Sequence, residues 1–274
     1  MKKYYLLPLF LLFLTLSFSQ KKKSSNNELK SSDLSGLKFR SVGPAFMSGR
    51  IADIAINPEN ENEWYVAVGS GGVWKTSNSG TTWTPITDDQ PFYSTGSITI
   101  DPHNSSRIWL GTGENVGGRH VGIGHGVYMS ENGGKNWKDM GLKSSEHISK
   151  IIVSPKDSNT VFVASQGPLW SPGGERGLYR TDNGGKTWKN VLNINKWTGV
   201  TDIAIDYDNP NILYAATWQR HRNVASYMGG GPGTSIYKST DHGNTWSEIK
   251  NGLPSSNFGK IGLALSPFDS TILY

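Results

Sequence analysis

The chain has 274 residues, of which 33 are Gly and 13 are Pro, while charged residues make up 18% and hydrophobic residues 35%. This composition disfavours a helical bundle or a coiled coil and favours many short strands joined by turns. The absence of Cys excludes disulfides, thiolate metal sites and a Cys nucleophile. The net charge of +5, about +3 once a basic leader is removed, is too small to indicate nucleic-acid binding.

Residues 1–19 have the pattern of a secretory signal peptide. Lys2 and Lys3 precede an apolar run over residues 6–16, small residues follow, and cleavage is predicted before Gln20. A membrane anchor is the alternative, but the run is shorter than the ~20 residues that span a bilayer. We therefore expect a secreted, periplasmic or cell-surface protein with no membrane span in the mature chain.

Residues 20–36 are rich in Lys, Ser and Asn and contain little that could be buried. Such a composition predicts a disordered linker. The remainder, residues 37–274, is predicted to form one repeat domain.

An eight-residue motif, Ser/Thr-x-Asp/Asn-x-Gly-x-x-Trp, occurs four times in this domain and recurs about every 50 residues. Its copies are residues 76–83, 130–137, 181–188 and 239–246. A second motif keeps the same spacing: an alternating strand (IADIAINP, GSITIDP, ISKIIVSP, VTDIAIDY, GKIGLALSP) that is followed by a turn and a second strand. A third strand then precedes the eight-residue motif, and a fourth begins at its Trp.

Four antiparallel strands in each unit of about 50 residues predict an all-β fold, a β-propeller of four-stranded blades. Four blades are complete, and a fifth begins at Lys260 and ends at Tyr274 within its second strand. Because a propeller closes on itself and an open edge strand invites aggregation, we expect a fragment of a longer protein with seven or more blades.

The eight-residue motif is predicted to be structural, at the turn between the third and fourth strands. Its Asp or Asn can accept backbone N–H bonds of the turn, its Gly permits positive φ, and its Trp covers the turn. Three of the four copies carry Asn, which cannot act as an acid or a base. The residues with this predicted role are Asn78, Gly80, Trp83, Asn132, Gly134, Trp137, Asn183, Gly185, Trp188, Asp241, Gly243 and Trp246.

With this motif the chain resembles Asp-box (BNR repeat) propellers, a set that includes sialidases, xyloglucan-cleaving glycoside hydrolases, sortilin ectodomains and photosystem assembly propellers. The resemblance covers roughly residues 36–274. Stretches such as SQGPLWSPGGERGLYRT are most similar to large secreted proteins of Bacteroidota labelled glycosyl-hydrolase-like or sortilin-N-terminal-like.

The working surface is predicted opposite the Asp-boxes, because every long insertion connects a second strand to a third strand. These insertions are residues 111–126, 165–177 and 216–235. Trp rings there could stack on sugars and guanidiniums could bind hydroxyls or carboxylates; equally, these side chains could lock the loops onto one another. The residues predicted to bind a ligand are Arg50, Arg119, His120, Gln166, Trp170, Arg176, Trp218, Arg220 and His221. No metal site and no cofactor are expected.

Two functions remain open. A glycoside hydrolase needs two carboxyl groups flanking the scissile bond, and the candidates are Glu114, Glu175 and Glu146. The resemblance argues against direct transfer of a known mechanism. Gly69 stands where the xyloglucan-cleaving enzymes have an Asp, and residues 39–42 lack the Pro of the sialidase arginine motif. The alternative is a non-catalytic, sortilin-like propeller that binds a protein or peptide partner.

Overall fold

The computed structural model describes residues 30–37, 49–254, 257–269 and 271–274. The chain divides into two units, Met1–Met47 and Ser48–Tyr274. The predicted signal peptide and residues 39–42 lie outside the described residues. The described part of the predicted linker contains one exposed 3-10 helix, Ser31–Leu34.

The second unit contains four four-stranded antiparallel sheets. The strands are β1 Ile51–Ile56, β2 Trp64–Val68, β3 Gly72–Thr76, β4 Thr84–Pro85, β5 Thr95–Asp101, β6 Asn104–Thr112, β7 Val127–Ser130, β8 Lys138–Asp139, β9 Ile148–Ser154, β10 Asp157–Ser165, β11 Gly177–Thr181, β12 Lys189–Leu192, β13 Thr198–Ile205, β14 Leu213–Gln219, β15 His221–Arg222, β16 Tyr227–Met228, β17 Ile236–Ser239 and β18 Ser247–Ile249. β15 and β16 form a separate ribbon, and a 3-10 helix, Lys143–Ser145, precedes β9. In every four-stranded sheet the strands pair in chain order.

Successive sheets pack face to face, with β1 beside β5, β5 beside β9 and β9 beside β13. Apolar side chains fill each gap: Leu110 between the first two sheets, Trp109 between the second and third, and Phe162 between the third and fourth. Leu110 and Trp109 are neighbours on β6, so the alternation of a strand supplies the cores on both faces of one sheet. This is the arrangement of blades in a β-propeller, and it confirms the predicted fold with four complete blades.

The first strands also carry polar links between blades. The Asp53 carboxylate on β1 accepts hydrogen bonds from Ser97 Oγ and the Ile98 N–H on β5, at 3.1 and 3.0 Å. In the fourth blade the Asp202 carboxylate accepts the Leu263 N–H at 2.9 Å. Asp202 thereby ties the complete fourth blade to the start of the fifth.

The fifth repeat forms a short hairpin. Ala264 and Tyr274 exchange two backbone hydrogen bonds of 2.9 and 2.8 Å, and Leu265 pairs with Leu273 across the hairpin. The two strands predicted here are therefore present as one isolated antiparallel bridge.

The four corners, defined as the copies of the eight-residue motif, share one hydrogen-bond pattern. In the third copy Asn183 Oδ1 accepts the Thr187 N–H at 3.0 Å, and Thr181 Oγ1 accepts the Gly185 N–H at 2.9 Å. Gly185 has a φ of +84°, which an L side chain adopts only with strain. The same contacts recur in the other corners, at Asn78, Gly80, Asn132, Gly134, Asp241 and Gly243.

Two of the four corner Trp residues form hydrogen bonds to the neighbouring sheet. Trp188 Nε1 donates to the Met140 carbonyl at 2.7 Å, and Trp137 Nε1 donates to the Ile86 carbonyl at 3.0 Å, both in the preceding blade. Trp83 belongs to the first blade and is 38% exposed. Trp246 Nε1 instead bonds the Gly243 carbonyl of its own corner, at 3.2 Å.

Candidate functional site

The two ends of the propeller differ in their connections. In a meander of four strands, the connection from the second to the third strand lies at the same end as the connection between blades, opposite the corners. We call this the loop end. It carries three long connections, residues 113–126, 166–176 and 220–235, one in each of blades two to four. The equivalent connection in the first blade, residues 69–71, is short.

Arg220 joins the loops of three blades. Its side chain is fully buried; Nη1 donates to the Val116 carbonyl in blade two at 2.8 Å, and Nη2 donates to the Gly167 carbonyl in blade three at 3.1 Å. The guanidinium also lies 5.2 Å from the ring centroid of Trp218. Arg220, in blade four, thus holds the loops of blades two and three against its own loop.

Arg176 has a similar internal role. Its guanidinium donates to the Gln166, Trp197, Pro168, Ser171 and Gly173 carbonyls, which occupies all of its nitrogens. Burial lowers the pKa of both Arg176 and Arg220, yet guanidiniums remain charged at neutral pH. Two positive charges are therefore held inside the loop layer by backbone carbonyls.

Four of the predicted ligand contacts lie inside this loop layer and not on its surface: Gln166, Arg176, Trp218 and Arg220. Trp218 is 4% exposed, and its Nε1 donates to the Gly229 carbonyl at 2.9 Å. Its ring faces are covered and its N–H is occupied, so it offers no surface for stacking on a sugar. The packing follows from contacts with loops of other blades, which the sequence of one loop does not reveal.

Other predicted ligand contacts reach solvent. Arg119 and His120 are exposed, and Trp170 is 46% exposed. The His221 ring packs on Trp197, with centroids 4.2 Å apart. These side chains share the loop end, where blades two, three and four carry their long connections.

Two aromatic residues join this surface that the sequence did not single out, Trp197 and Tyr227. Tyr227 lies on the β15–β16 ribbon, is 41% exposed and carries the Arg222 guanidinium over its ring at 4.3 Å. The ribbon is rigidly placed, because the Arg222 N–H donates to the Leu169 carbonyl at 3.0 Å and Arg222 Nη2 donates to the Gly117 carbonyl at 3.1 Å. The sequence could have indicated both rings, because Trp197 and Tyr227 lie in connections at the loop end. We call Trp170, Trp197, His221 and Tyr227 the aromatic surface.

The three predicted carboxyl groups have different surroundings. Glu114 is 2% exposed and accepts hydrogen bonds from Arg50 Nη2 at 2.5 Å, Ser70 Oγ at 3.2 Å and the Gly122 N–H at 2.8 Å. A Cβ added at Gly69 would lie 2.6 Å from Glu114 Oε1. The Glu114 carboxylate therefore fills the space beside Gly69 and holds Arg50 against the loop.

Glu175 is also engaged within the protein, through Ser144. Its Oε2 accepts the Ser144 N–H at 2.8 Å and the Ser144 hydroxyl at 2.9 Å. This contact joins the loop of blade three to the connection between blades two and three.

Glu146 differs from both, because no described residue donates a hydrogen bond to its carboxylate. His147 Nε2 lies 4.0 Å from Glu146 Oε2, and 29% of the Glu146 side chain is exposed. Burial raises the pKa of the Glu146 carboxyl, and the nearby Arg176 and Arg220 oppose that rise. Burial, reinforced by Arg220, lowers the pKa of His147 to about 3, so the imidazole is neutral around pH 7.

A cleft of about 730 Å³ lies toward the corner end of the blades. It is bounded by the first strands β5, β9 and β13 and by the fifth hairpin, and it includes the turn residues 206–208 at the corner end. Its walls offer strand backbone, scattered charges and the side chains of Tyr207 and Phe268, and none of the three long connections contributes to them. We therefore place the candidate site at the loop end.

The described part of the chain contains neither a cluster of metal-ligand side chains nor a helix that could span a membrane. No group of three or more His, Cys, Asp or Glu residues there is arranged to hold a metal ion. None of the described helices has the length and apolar character to cross a membrane.

Comparison with known families decides the relationship. The family described as Sortilin-Vps10 ("Sortilin, neurotensin receptor 3") matches residues 125–272, slightly more than half of the chain. This chain belongs to the Sortilin-Vps10 family. The match begins in the loop of the second blade and includes the third and fourth blades with their long loops.

Curated relatives of this Sortilin-Vps10 chain are xyloglucanases. That of Hypocrea jecorina is 26% identical over 236 residues, covering 74% of this chain and 26% of the relative. A xyloglucanase of Acetivibrio thermocellus is 24% identical over 231 residues, covering 76% of this chain and 26% of the relative. The chain thus spans about a quarter of the length of the curated relatives it matches.

Solved structures agree on the fold. A GH74 xyloglucanase from Xanthomonas campestris superposes with a TM-score of 0.59 at 15% identity, over 80% of this chain and 34% of that structure. An ancestral GH74 enzyme gives a TM-score of 0.60 at 20% identity, over 81% and 28%. These similarities support the propeller architecture of the Sortilin-Vps10 chain.

Proposed function

We propose that this chain is part of a secreted Asp-box β-propeller of the glycosyl-hydrolase-like group, which acts on or binds an extracellular polysaccharide at its loop end. The curated relatives support a polysaccharide of the xyloglucan type. The N-terminal pattern of residues 1–19 supports secretion.

The observation that carries this proposal is the aromatic surface. Trp170 and Tyr227 are nearly half exposed on loops that other contacts hold in place. Flat, rigid aromatic rings with polar groups at their margins suit the apolar faces and hydroxyl edges of sugars. Solvent-exposed rings on rigid connections are a feature of binding surfaces more than of a core.

The test is the affinity of the purified full chain for xyloglucan oligosaccharides, measured by isothermal titration calorimetry. Trp170→Ala and Tyr227→Ala should each weaken binding about tenfold, equivalent to roughly 1.4 kcal/mol. Tyr207→Ala is the matched control, because Tyr207 is 66% exposed at the corner end. Unchanged affinity in both loop-end variants, or a loss in the Tyr207 variant alone, would place the binding surface elsewhere.

A second function, recognition of a protein or peptide, is favoured by the family match over residues 125–272. The same aromatic surface would then contact apolar side chains. A parallel screen of glycan and peptide arrays separates the two functions: peptide binding without glycan binding would favour this alternative.

A further inference from the structure

The three glutamates predicted as candidate carboxyl groups fall into two classes. Glu114 and Glu175 each accept short hydrogen bonds from the protein, and each holds one loop segment against another. A carboxylate that is already bonded to its own loops has few acceptor sites left for a ligand. Only Glu146, among the described loop-end carboxylates, is half-buried without a hydrogen-bond donor.

The backbone holds Glu146 in an unusual conformation. Its φ is +58°, a region that residues other than glycine adopt only with strain. The Glu146 carbonyl accepts the Gly124 N–H at 2.8 Å, which anchors this conformation to the loop of blade two. Gly113 packs directly against that carbonyl, where an added Cβ would have no room. Both ends of the blade-two loop thus hold the residue that carries the carboxylate.

The charges around Glu146 limit what it can bind. Arg176 approaches from the loop of blade three, Arg220 from the loop of blade four, and the neutral His147 lies beside it. The positive charges of Arg176 and Arg220 both act on this one carboxylate, so the local charge is positive and disfavours an incoming ammonium group. A neutral hydroxyl meets no such repulsion and donates a hydrogen bond to the carboxylate.

We propose that Glu146 is the carboxylate of the loop end that contacts the ligand, and that it accepts hydrogen bonds from sugar hydroxyl groups. This inference rests on the proposed polysaccharide function and assigns one residue within that surface. Glu114 and Glu175 then serve to hold the loops on which the surface is built.

The experiment compares variants of the full chain for binding of a xyloglucan oligosaccharide by calorimetry. Glu146→Gln keeps the size of the side chain but removes its charge, and should weaken binding roughly tenfold to a hundredfold. Glu131→Gln is the control, since Glu131 is an exposed carboxylate at the second corner. Its affinity should equal that of the unsubstituted chain.

The pH dependence of oligosaccharide binding is a second measurement, and it would not change if Glu146 had only a structural role. Burial raises the pKa of Glu146, so its carboxylate becomes protonated at a higher pH than that of an exposed Glu. Oligosaccharide affinity should therefore fall as the pH is lowered through the range in which Glu146 takes up its proton. Glu146→Gln should remove that decline.

The outcomes separate this inference from the proposed function. If the unsubstituted chain binds no oligosaccharide, the proposed function fails and this assignment fails with it. If the unsubstituted chain binds and Glu146→Gln binds equally well at every pH, only the assignment of Glu146 is overturned. The assignment would also be overturned if Glu146→Gln lost binding to a peptide ammonium group but still bound the oligosaccharide as tightly as the unsubstituted chain.

Discussion

Arg220 Nη1 donates a 2.8 Å hydrogen bond to the carbonyl of Val116, a residue 104 positions earlier in the chain and two blades away. Nη2 of the same guanidinium reaches the Gly167 carbonyl in the blade between them. One side chain therefore joins three loops that lie far apart along the sequence. The rigidity of the loop end, and of the aromatic surface on it, depends on this contact.

Replacing Arg220 should destabilise the protein strongly. Arg220→Met keeps much of the apolar volume but leaves the Val116 and Gly167 carbonyls without their buried donor, and we expect a loss of about 3 kcal/mol in the free energy of unfolding. Urea denaturation followed by tryptophan fluorescence measures this change. Arg119→Met, at an exposed position, should stay within about 0.5 kcal/mol of the unsubstituted protein. Equal stability of the two variants would contradict the role assigned to Arg220.

The corner glycines permit a test that separates backbone strain from packing. Gly80 and Gly185 have nearly the same φ, +86° and +84°. An added Cβ at Gly80 meets its nearest atom at 3.5 Å, whereas at Gly185 it would lie 2.7 Å from Met140 Cε and 2.9 Å from Trp109 Cη2. Gly80→Ala should therefore cost about 1 kcal/mol from the backbone alone, and Gly185→Ala about 1–3 kcal/mol more from overpacking. Thermal denaturation of both variants gives the order, and a larger loss for Gly80→Ala would be inconsistent with this packing.

The indole N–H of a corner Trp should contribute to stability only where it reaches the preceding blade. Trp188→Phe removes the 2.7 Å bond to the Met140 carbonyl, and we expect a loss of about 1 kcal/mol. Trp83→Phe is the matched control, because no described residue accepts a bond from the Trp83 indole. Unfolding curves that show the same loss for both variants would mean that the bond between blades is not the cause.

The fourth corner should make stability depend on pH in a defined range. Hydrogen bonds from Thr245 and Ser239 lower the pKa of Asp241 to about 2. A group whose folded pKa lies below its unfolded value near 3.9 stabilises the fold fully above that value, and the contribution disappears as pH falls toward about 2. Melting temperatures of the unsubstituted protein and Asp241→Asn, measured from pH 5 to pH 2, should therefore converge. Asn183→Ala, at a corner that does not titrate, should show a constant difference; a constant difference for Asp241→Asn would contradict the assignment.

The sequence was sufficient to predict the blades because their signals are local. Alternating strands such as β13 and the corner motif around Gly185 repeat at a fixed spacing, and each corner makes its contacts within a few residues. The loop end was predicted less well. Trp218 and Arg220 have the residue types of a ligand surface, but both are buried because their partners come from the loops of other blades. No pattern within residues 216–235 specifies those partners.

The carboxyl groups show the same limit. By residue type and loop position, Glu114 and Glu175 form the better candidate pair, and Glu146, in a connection between blades, comes third. Their differences arise from single contacts with distant segments, such as Arg50 with Glu114. A sequence therefore indicates which end of a propeller is elaborated, while only the packed loops indicate which side chains remain available.

Hydrogen–deuterium exchange of the full chain, with and without a xyloglucan oligosaccharide, tests whether the loop end is the surface that contacts the ligand. If the loop end is that surface, ligand addition should slow exchange in residues 113–126, 166–176 and 220–235, with no change in the four corners. Slower exchange in the corners, or in the turn at residues 206–208 beside the corner-end cleft, with the three loops unchanged, would contradict it.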